Sequence, residues 1–501
     1  MRRAPSLILC ILVLACTASP RDSFQRQRRS NRPAATPNIL VIVTDDQTVG
    51  TWNAMPQTDH RIVQRGVDFA HAFASNPMCC PSRAAILTGG FSTHSGVYSN
   101  GGPYGGMRAF NENGDEQRSL GALLDPTYET AIFGKYLNGY AAYARSGLTR
   151  GYEPPGWDEW QVQYENNGAY YDYRLNVNGR IVHYGHAPKD YSPEVIGGRL
   201  RDWLDPSDGD GRDPSQPFFA MYTPFAPHGP PTPSARYGDD RRFANMPAFT
   251  SPALNEADVS DKPTYIRNLP LLGPKRLASD QVAQRRPLEA LYSVDRQIGL
   301  TLDLLKQQRV LHNTMIVVLS DNGTSMGEHR WTYKLVPYER SIGVPMAIRF
   351  DPLTRSPRVE RRQLVTTADV FSTVMAVARP GWTPDWPVDG VSLAGLLARP
   401  QPQPIRPAVL LQNLFLDRLG QVDVPTYCGI RTRRWKYVVY SPTPAEPALV
   451  DGRQDVELYD LRHDPYELHN IAGDRPLVAQ RLRSELQKLC RPTPPGWSVR
   501  W

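Results

Sequence analysis

The stretch Pro77-Met78-Cys79-Cys80-Pro81-Ser82-Arg83-Ala84-Ala85-Ile86-Leu87-Thr88-Gly89 sets two thiols, a hydroxyl and a guanidinium where an apolar helical pattern begins. A thiolate is a nucleophile, and an arginine fork grips planar or tetrahedral oxyanions. Pro81 suits a helix start, whose free N–H groups favour nearby negative charge. The chemistry these residues could do is attack on an anionic substrate. The same residue types also serve as disulfide material and as a helix cap with a solvated charge, so the rest of the chain must decide.

The elements that must position such a group are buried strands. Asn38-Ile39-Leu40-Val41-Ile42-Val43-Thr44 is a continuous β-branched run that ends in Asp45-Asp46, and Met315–Ser320 is a second that ends in Asp321-Asn322. In open α/β sheets ligands gather beyond the carboxyl ends of strands. Three carboxylates and an amide oxygen there form a hard donor set, suited to calcium or magnesium rather than zinc. Either pair alone is commonly a solvated turn. Thr130–Phe133, Phe218–Tyr222 and Pro345–Phe350 read as further strands, and Pro287–Gln308 as an amphipathic helix. Residues 223–285, dense in Pro, Asp, Arg and Asn, read as a long insertion over the functional edge of the sheet. After Arg379-Pro380 the pattern changes, and the strand 434–440 and the helix Pro476–Leu489 predict a smaller C-terminal α+β subdomain.

Composition narrows the function. The 501 residues carry a formal charge of +7, but residues 1–32 hold seven arginines against one acid, Asp22, and the remainder is close to neutral. That argues against a broad nucleic-acid footprint. Arg2-Arg3, the apolar run Leu7–Ala15 and the small residues after it read as an export signal over 1–19, followed by a disordered tether over 20–36. Val13-Leu14-Ala15-Cys16 also resembles a lipoprotein processing site, which would make a lipid anchor the one membrane link. The expected location is therefore secreted, periplasmic or cell-surface. Of the six cysteines, Cys10 and Cys16 belong to the leader and Cys79 and Cys80 to the motif, and Cys428 and Cys490 remain as an expected disulfide in an oxidising compartment.

Cys79-Cys80-Pro81-Ser82-Arg83 with the following Ala-Ala-x-Leu-Thr-Gly resembles the signature of the type I sulfatases, in which the first cysteine is oxidised to formylglycine. The resemblance runs over 37–380 and includes the ending Glu457-Leu458-Tyr459-Asp460-Leu461 and Asp464-Pro465-Tyr466-Glu467. It implies an alkaline-phosphatase-like α/β fold, with a large mixed, mainly parallel sheet in a catalytic domain over 37–380 and the smaller subdomain over 381–501. It implies that Cys79 is modified by a formylglycine-generating enzyme. Asp45, Asp46, Asp321, Asn322 and the modified Cys79 would bind calcium, with magnesium the alternative. Arg83, Lys135, His228 and Lys334 would hold sulfate oxygens, with His228 or Lys334 protonating the leaving group, and His329 would be a further substrate contact.

Within that family, Gly134-Lys135-Tyr136-Leu137-Asn138, Pro154-Pro155-Gly156-Trp157 and Tyr170-Tyr171-Asp172-Tyr173 are similar to the N-acetylglucosamine-6-sulfatase and heparan 6-O-endosulfatase branch. Leu137 stands where many sulfatases have a histidine, which leaves the leaving-group acid open. The long basic insert of the endosulfatases is absent, so exo action on a sulfated carbohydrate is expected, with another small sulfate ester as the alternative substrate. Phosphodiesterases and phosphonate hydrolases share the fold, and a carbohydrate-binding relative without chemistry is the non-enzymatic rival. Trp157, Trp160 and Tyr164–Tyr173 could stack on a sugar or fill core.

Overall fold

A computed structural model describes residues 36–164, 169–208, 211–237, 243, 249–277, 284–415, 424–441 and 455–501. The expected export signal, Cys10, Cys16 and all but the end of the tether lie outside the described residues, as do parts of the 223–285 insertion. The described strands are β1 (Asn38–Thr44), β2 (Val67–Phe69), β3 (Ala72–Phe73), β4 (Glu129–Gly134), β5 (Glu159–Gln163), β6 (Arg174–Val177), β7 (Arg180–His183) and β8 (Phe218–Thr223). They continue as β9 (Thr314–Ser320), β10 (Met346–Arg349), β11 (Arg358–Glu360), β12 (Val365–Thr366), β13 (Ala408–Asn413), β14 (Thr426–Thr432), β15 (Trp435–Ser441) and β16 (Val456–Asp460). The longer helices are α1 (Cys79–Thr88), α2 (Ser192–Leu204), α3 (Arg285–Gln307), α4 (Asp369–Ala378) and α5 (Pro476–Leu489).

Every residue of β1 is buried, and its side chains divide by the period of a strand covered on both faces. Ile39, Val41 and Val43 enter one core with Ile86 and Leu87 of α1 and Phe371 and Val374 of α4. Leu40 and Ile42 enter the other with Ile196 and Leu200 of α2 and Leu291, Ile298 and Leu302 of α3. The main sheet has ten strands in the order β11-β2-β10-β9-β1-β8-β4-β5-β6-β7. Its centre, β9-β1-β8-β4-β5, is parallel, while β10 and the β5-β6-β7 edge run antiparallel. The fold is thus a large mixed, mostly parallel sheet between helices.

Strands β13 to β16 form a separate antiparallel sheet. One face packs on α5 through Ile430, Tyr437, Leu458, Leu482 and Leu486, and Cys428 is joined there to Cys490 by a disulfide. The other face, with Leu411, Tyr427 and Tyr440, packs on Phe73, Met78 and Tyr338. The Ser75 hydroxyl donates to the Leu410 carbonyl at 2.7 Å, so this small sheet braces the turn that precedes α1. The insertion reaches the same edge, where Asn255 N–H donates to the Gly327 carbonyl and His329 N–H to the Ala253 carbonyl, each at 2.8 Å.

Candidate active site

Four adjacent strands, β9, β1, β8 and β4, end on one side of the sheet, and each delivers polar residues there. Thr44 of β1 lies beside Ser320 of β9, so Asp45-Asp46 and Asp321-Asn322 leave the sheet as neighbours. The Asp46 N–H donates to Asp321 Oδ1 at 3.1 Å. Asp46 takes a left-handed backbone with φ +65°, a conformation that costs a residue with a Cβ and that clusters at functional sites. Gly134 ends β4 with φ +119°, and a Cβ there would stand 2.2 Å from the Thr223 carbonyl oxygen. Only glycine lets the chain turn so close to β8 and send Lys135 inward. His228 follows the end of β8 by five residues.

Helix α1 supplies the rest. Met78 precedes it in an extended conformation and Gly89 closes it at φ +75°, so Cys79 is its first residue and Arg83 lies one turn on. The two thiols have different surroundings. Cys79 Sγ lies 2.8 Å from Lys334 Nζ and 3.4 Å from Asp45 Oδ1. Cys80 belongs to the apolar core, and burial pushes its thiol up to about 12. A reactive role therefore falls on Cys79.

Around Cys79 three carboxylates face three fixed cations. Arg83 Nε donates to Asp321 Oδ2 at 2.8 Å, its Nη1 donates to the Lys135 carbonyl at 3.0 Å, and its Nη2 stands 3.6 Å from Asp45 Oδ2. The Lys135 ammonium donates to Asp45 Oδ2, and Lys334 Nζ donates to Asp46 Oδ1 at 2.6 Å. Burial opposes ionisation of Asp45, yet Lys135, His228, Arg83 and Lys334 hold its carboxyl far below the usual range. Asp321 is pushed up by burial and by the charge of Asp45, which Arg83 only partly offsets. Burial alone would depress Lys135 and Lys334, but Asp45 and Asp46 respectively hold them ionised.

His228 stands at the mouth of this group, a quarter exposed, with Nε2 3.6 Å from Asp46 Oδ2. Its Nδ1 pairs with the Gly229 carbonyl at 2.8 Å and its ring packs on Phe225. Burial would lower its pKa, but the Asp46 and Asp45 carboxylates outweigh that and hold it up at about 9. Sequence reasoning missed Phe225 and gave Tyr170 only as a ring that could stack on a sugar or fill core, not as a residue that seats His228. The Tyr170 hydroxyl donates to the His228 carbonyl at 3.0 Å, and Phe225 lies under both His228 and the Lys135 ammonium. Their only signal was membership of aromatic-rich stretches with many core residues. Trp157, Trp160, Tyr164 and Tyr173 are core, which resolves the choice between sugar stacking and packing for those four.

His329 goes elsewhere. Its Nδ1 pairs with Glu256 Oε2 at 2.6 Å and its ring lies against Tyr338, so its described contacts do not reach the cysteine or the carboxylates.

The side-chain oxygens of Asp45, Asp46, Asp321 and Asn322 suit a hard divalent cation. Donor atoms of Asp45, Asp46, Cys79 and His228 lie within 4.8 Å of one another. Asn322 is fully buried; its Nδ2 donates to Asp46 Oδ1 at 2.6 Å while its Oδ1 has no hydrogen-bond partner. A buried oxygen without a hydrogen-bond donor beside three carboxylates fits the role of a cation ligand. Complete burial of Asn322 also excludes it as a glycan acceptor, although Asn322-Gly323-Thr324 has the acceptor pattern.

This constellation belongs to a known class. The sulfatase family profile matches residues 37–380, and the profile named N-sulphoglucosamine sulphohydrolase, C-terminal, matches 327–491. The chain belongs to the sulfatase family. It is 31% identical over 356 residues to an extracellular sulfatase Sulf-1 homologue of Caenorhabditis elegans, covering 68% of this chain and 46% of that protein. It is 25% identical over 568 residues to the N-acetylglucosamine-6-O-sulfatase of Bacteroides thetaiotaomicron, covering 98% of this chain and 91% of the relative. The fold is shared, at TM-score 0.73 and 23% identity over 91% of this chain and 98% of the other, with a protein solved with its substrate D-glucosamine-2-N,6-O-disulfate.

Proposed function

We propose that the chain hydrolyses a sulfate ester, the 6-O-sulfate of a glucosamine unit in a sulfated glycan, by exo action. The observation that carries this reading is the setting of Cys79: a buried side chain at the head of a helix, held between Lys334 and Asp45, with Arg83 and Lys135 converging on the same carboxylates. The choice of sugar is supported by the relatives named for glucosamine sulfates. Formylglycine at position 79, installed by a maturation enzyme, would supply as its hydrate two hydroxyls on one carbon, one to attack sulfur and one whose deprotonation releases sulfate. Asp45, Asp46, Asp321 and Asn322 would hold a calcium ion, which supplies charge neutralisation for the sulfate oxygens.

The remaining work falls to side chains. A sulfate ester is an anion, so its oxygens must be neutralised before a nucleophile can approach. Arg83, Lys135 and Lys334 are fixed, buried cations that need no reorganisation to do so. When the bond from sulfur to the sugar oxygen breaks, that oxygen takes a proton, and we assign the donation to His228. It is the partly exposed member of the group, whereas Lys334 is sealed against Cys79 and Asp46. An export signal and a disulfide between Cys428 and Cys490 support an extracytoplasmic location, and none of the described helices is long and apolar enough to cross a membrane.

The test is release of inorganic sulfate from an oligosaccharide ending in glucosamine 6-sulfate. The protein is co-expressed with a formylglycine-generating enzyme, and Cys79→Ala is the blank. Release above the blank is expected. Absence of release, with hydrolysis of a matched phosphodiester instead, would move the chain to phosphoryl chemistry on the same fold.

A further inference from the structure

A second cleft lies at the opposite end of the main sheet. It has a volume of about 580 Å³ and is lined by residues from the short helix Pro56–Arg61, the C-terminal end of α3, the turn before β9 and the end of β10. Arg61, Arg65, Lys306, Arg309 and Arg349 face it, with His60 and His312, and Asp351 is its only acidic wall residue among those described. The active-site carboxylates stand at the other end of β9, six residue steps away, which is roughly 20 Å.

The charge in this cleft is only partly balanced. Arg349 forms a two-pronged pair with Asp351 at 2.8 and 2.9 Å, and Arg61 pairs with Asp303 at 2.8 Å. Arg65, Lys306 and Arg309 are exposed, and no carboxylate of the described residues pairs with them. Outside its first 32 residues the chain is close to neutral, so this surplus is a local concentration rather than a share of a general basic character.

Arg309 also occupies a position that an arginine fills at a cost. The end of α3 closes with Arg309 N–H donating to the Lys306 carbonyl and Val310 N–H to the Leu305 carbonyl, each at 3.0 Å. That is the double-bonded helix end that usually takes glycine, and Arg309 adopts it with φ +61°. A cation is kept where backbone geometry favours a residue without a side chain. A cation near a helix C-terminus is favourable in itself, which accounts for Lys306. It does not account for Arg65 and Arg349, which come from other elements.

We propose that this cleft is a second binding site for a sulfated oligosaccharide, holding the glycan at a point remote from Cys79. The walls match that ligand by what they contain and by what they lack. Arginine forks suit sulfate oxygens, and the volume accommodates sugar units rather than a single ion. Among the described residues no wall residue is an aromatic ring other than histidine, and Leu311 is the single large apolar one. Single-stranded nucleic acid, which depends on stacking platforms, is therefore the poorer fit.

The experiment measures binding of a fluorescent heparin octasaccharide to the full chain carrying Cys79→Ala, so that no turnover is needed and the result stands whether or not the sulfatase reading holds. The combined variant Arg65→Gln, Lys306→Gln and Arg309→Gln is compared with a control in which Arg481, Lys488 and Arg491, exposed on or just after α5, are changed to Gln. Roughly tenfold to hundredfold weaker binding for the cleft variant, with a shallower salt dependence and an unchanged control, is expected. A loss below about threefold, or an equal loss in the control, would overturn the proposal. So would a single-stranded oligonucleotide of equal charge that binds as tightly, or complete displacement by inorganic sulfate at similar concentration, which would make the cleft a small-anion site.

Discussion

Replacing His228 with alanine separates the proton donor from the charge clamp. If His228 protonates the departing sugar oxygen, His228→Ala should lower kcat on glucosamine 6-sulfate by about 10²–10⁴-fold, the usual worth of general-acid catalysis. A nitrophenyl sulfate expels an oxygen that is stable as an anion, so the same variant should lose far less on it. The structure sets the scale for competing effects. The ring gives up its contact with Phe225 and one carboxylate neighbour at 3.6 Å, but Asp46 keeps Lys334 and Asn322, so the fold should lose only about 1 kcal/mol. Because Asp46 and Asp45 hold the imidazolium up at about 9, the histidine carries its proton at pH 7, and the descending limb of the rate on the sugar ester should lie at or below that value. The assay is steady-state sulfate release from both esters over a pH series. Equal losses on the two substrates would refute the assignment, because a group that only neutralises sulfate serves both alike.

Lys334→Met supplies that contrast. Its ammonium is fixed between Asp46 and Cys79, so it should cost about 10²–10³-fold in kcat on both esters, in line with about 4 kcal/mol for a charge at ~4 Å with an effective dielectric of ~20. Cys79→Ser should accept sulfate at most once per chain, read as a single sub-stoichiometric burst by mass spectrometry, while Cys80→Ala should turn over repeatedly because that thiol faces the core. Replacing both Cys428 and Cys490 with alanine removes a link across 62 residues, an entropic contribution of about 4 kcal/mol, and should lower the urea midpoint without moving KM. Burial pushes Asp115 up to about 8, with no partner for its Oδ2. Its folded-state pKa exceeds the unfolded one, so its contribution to stability is greatest below about pH 4 and falls by about 1.4 kcal/mol per unit toward pH 8. Asp115→Asn should remove that slope from thermal unfolding curves.

How much of this was legible in the sequence depended on whether the signal was local. The β-branched runs that became β1 and β9 gave their own boundaries to within a residue, since both faces of each are covered and the apolar run is uninterrupted. Helix α5 begins and ends where its proline and periodicity place it, and α3 starts two residues before Pro287 because a proline is tolerated inside the first turn. The antiparallel edge β6-β7 carried no such run and went unread: its four-residue strands are joined at Asn178-Gly179 and half exposed.

At the site, the residue identities came from pattern resemblance, but their convergence follows from topology. Asp45 and Asp321 are 276 positions apart in the chain and adjacent in space, because β1 and β9 are parallel neighbours whose ends coincide at Thr44 and Ser320. Lys135 and His228 arrive by the same rule from β4 and β8. His329 shows the limit of reading by resemblance. Five residues from Lys334, it turns instead to Glu256, because the insertion supplies a buried carboxylate that the loop must satisfy. Likewise the basic cleft could not be read along the chain. Arg65 stands 241 positions before Lys306 and Arg349 stands 43 after it, and Arg349 reaches the cleft because β10 runs antiparallel to β9 and brings its last residue back beside Ile316, near the start of β9. The near-neutral charge outside the first 32 residues therefore carried no information about a small basic cluster.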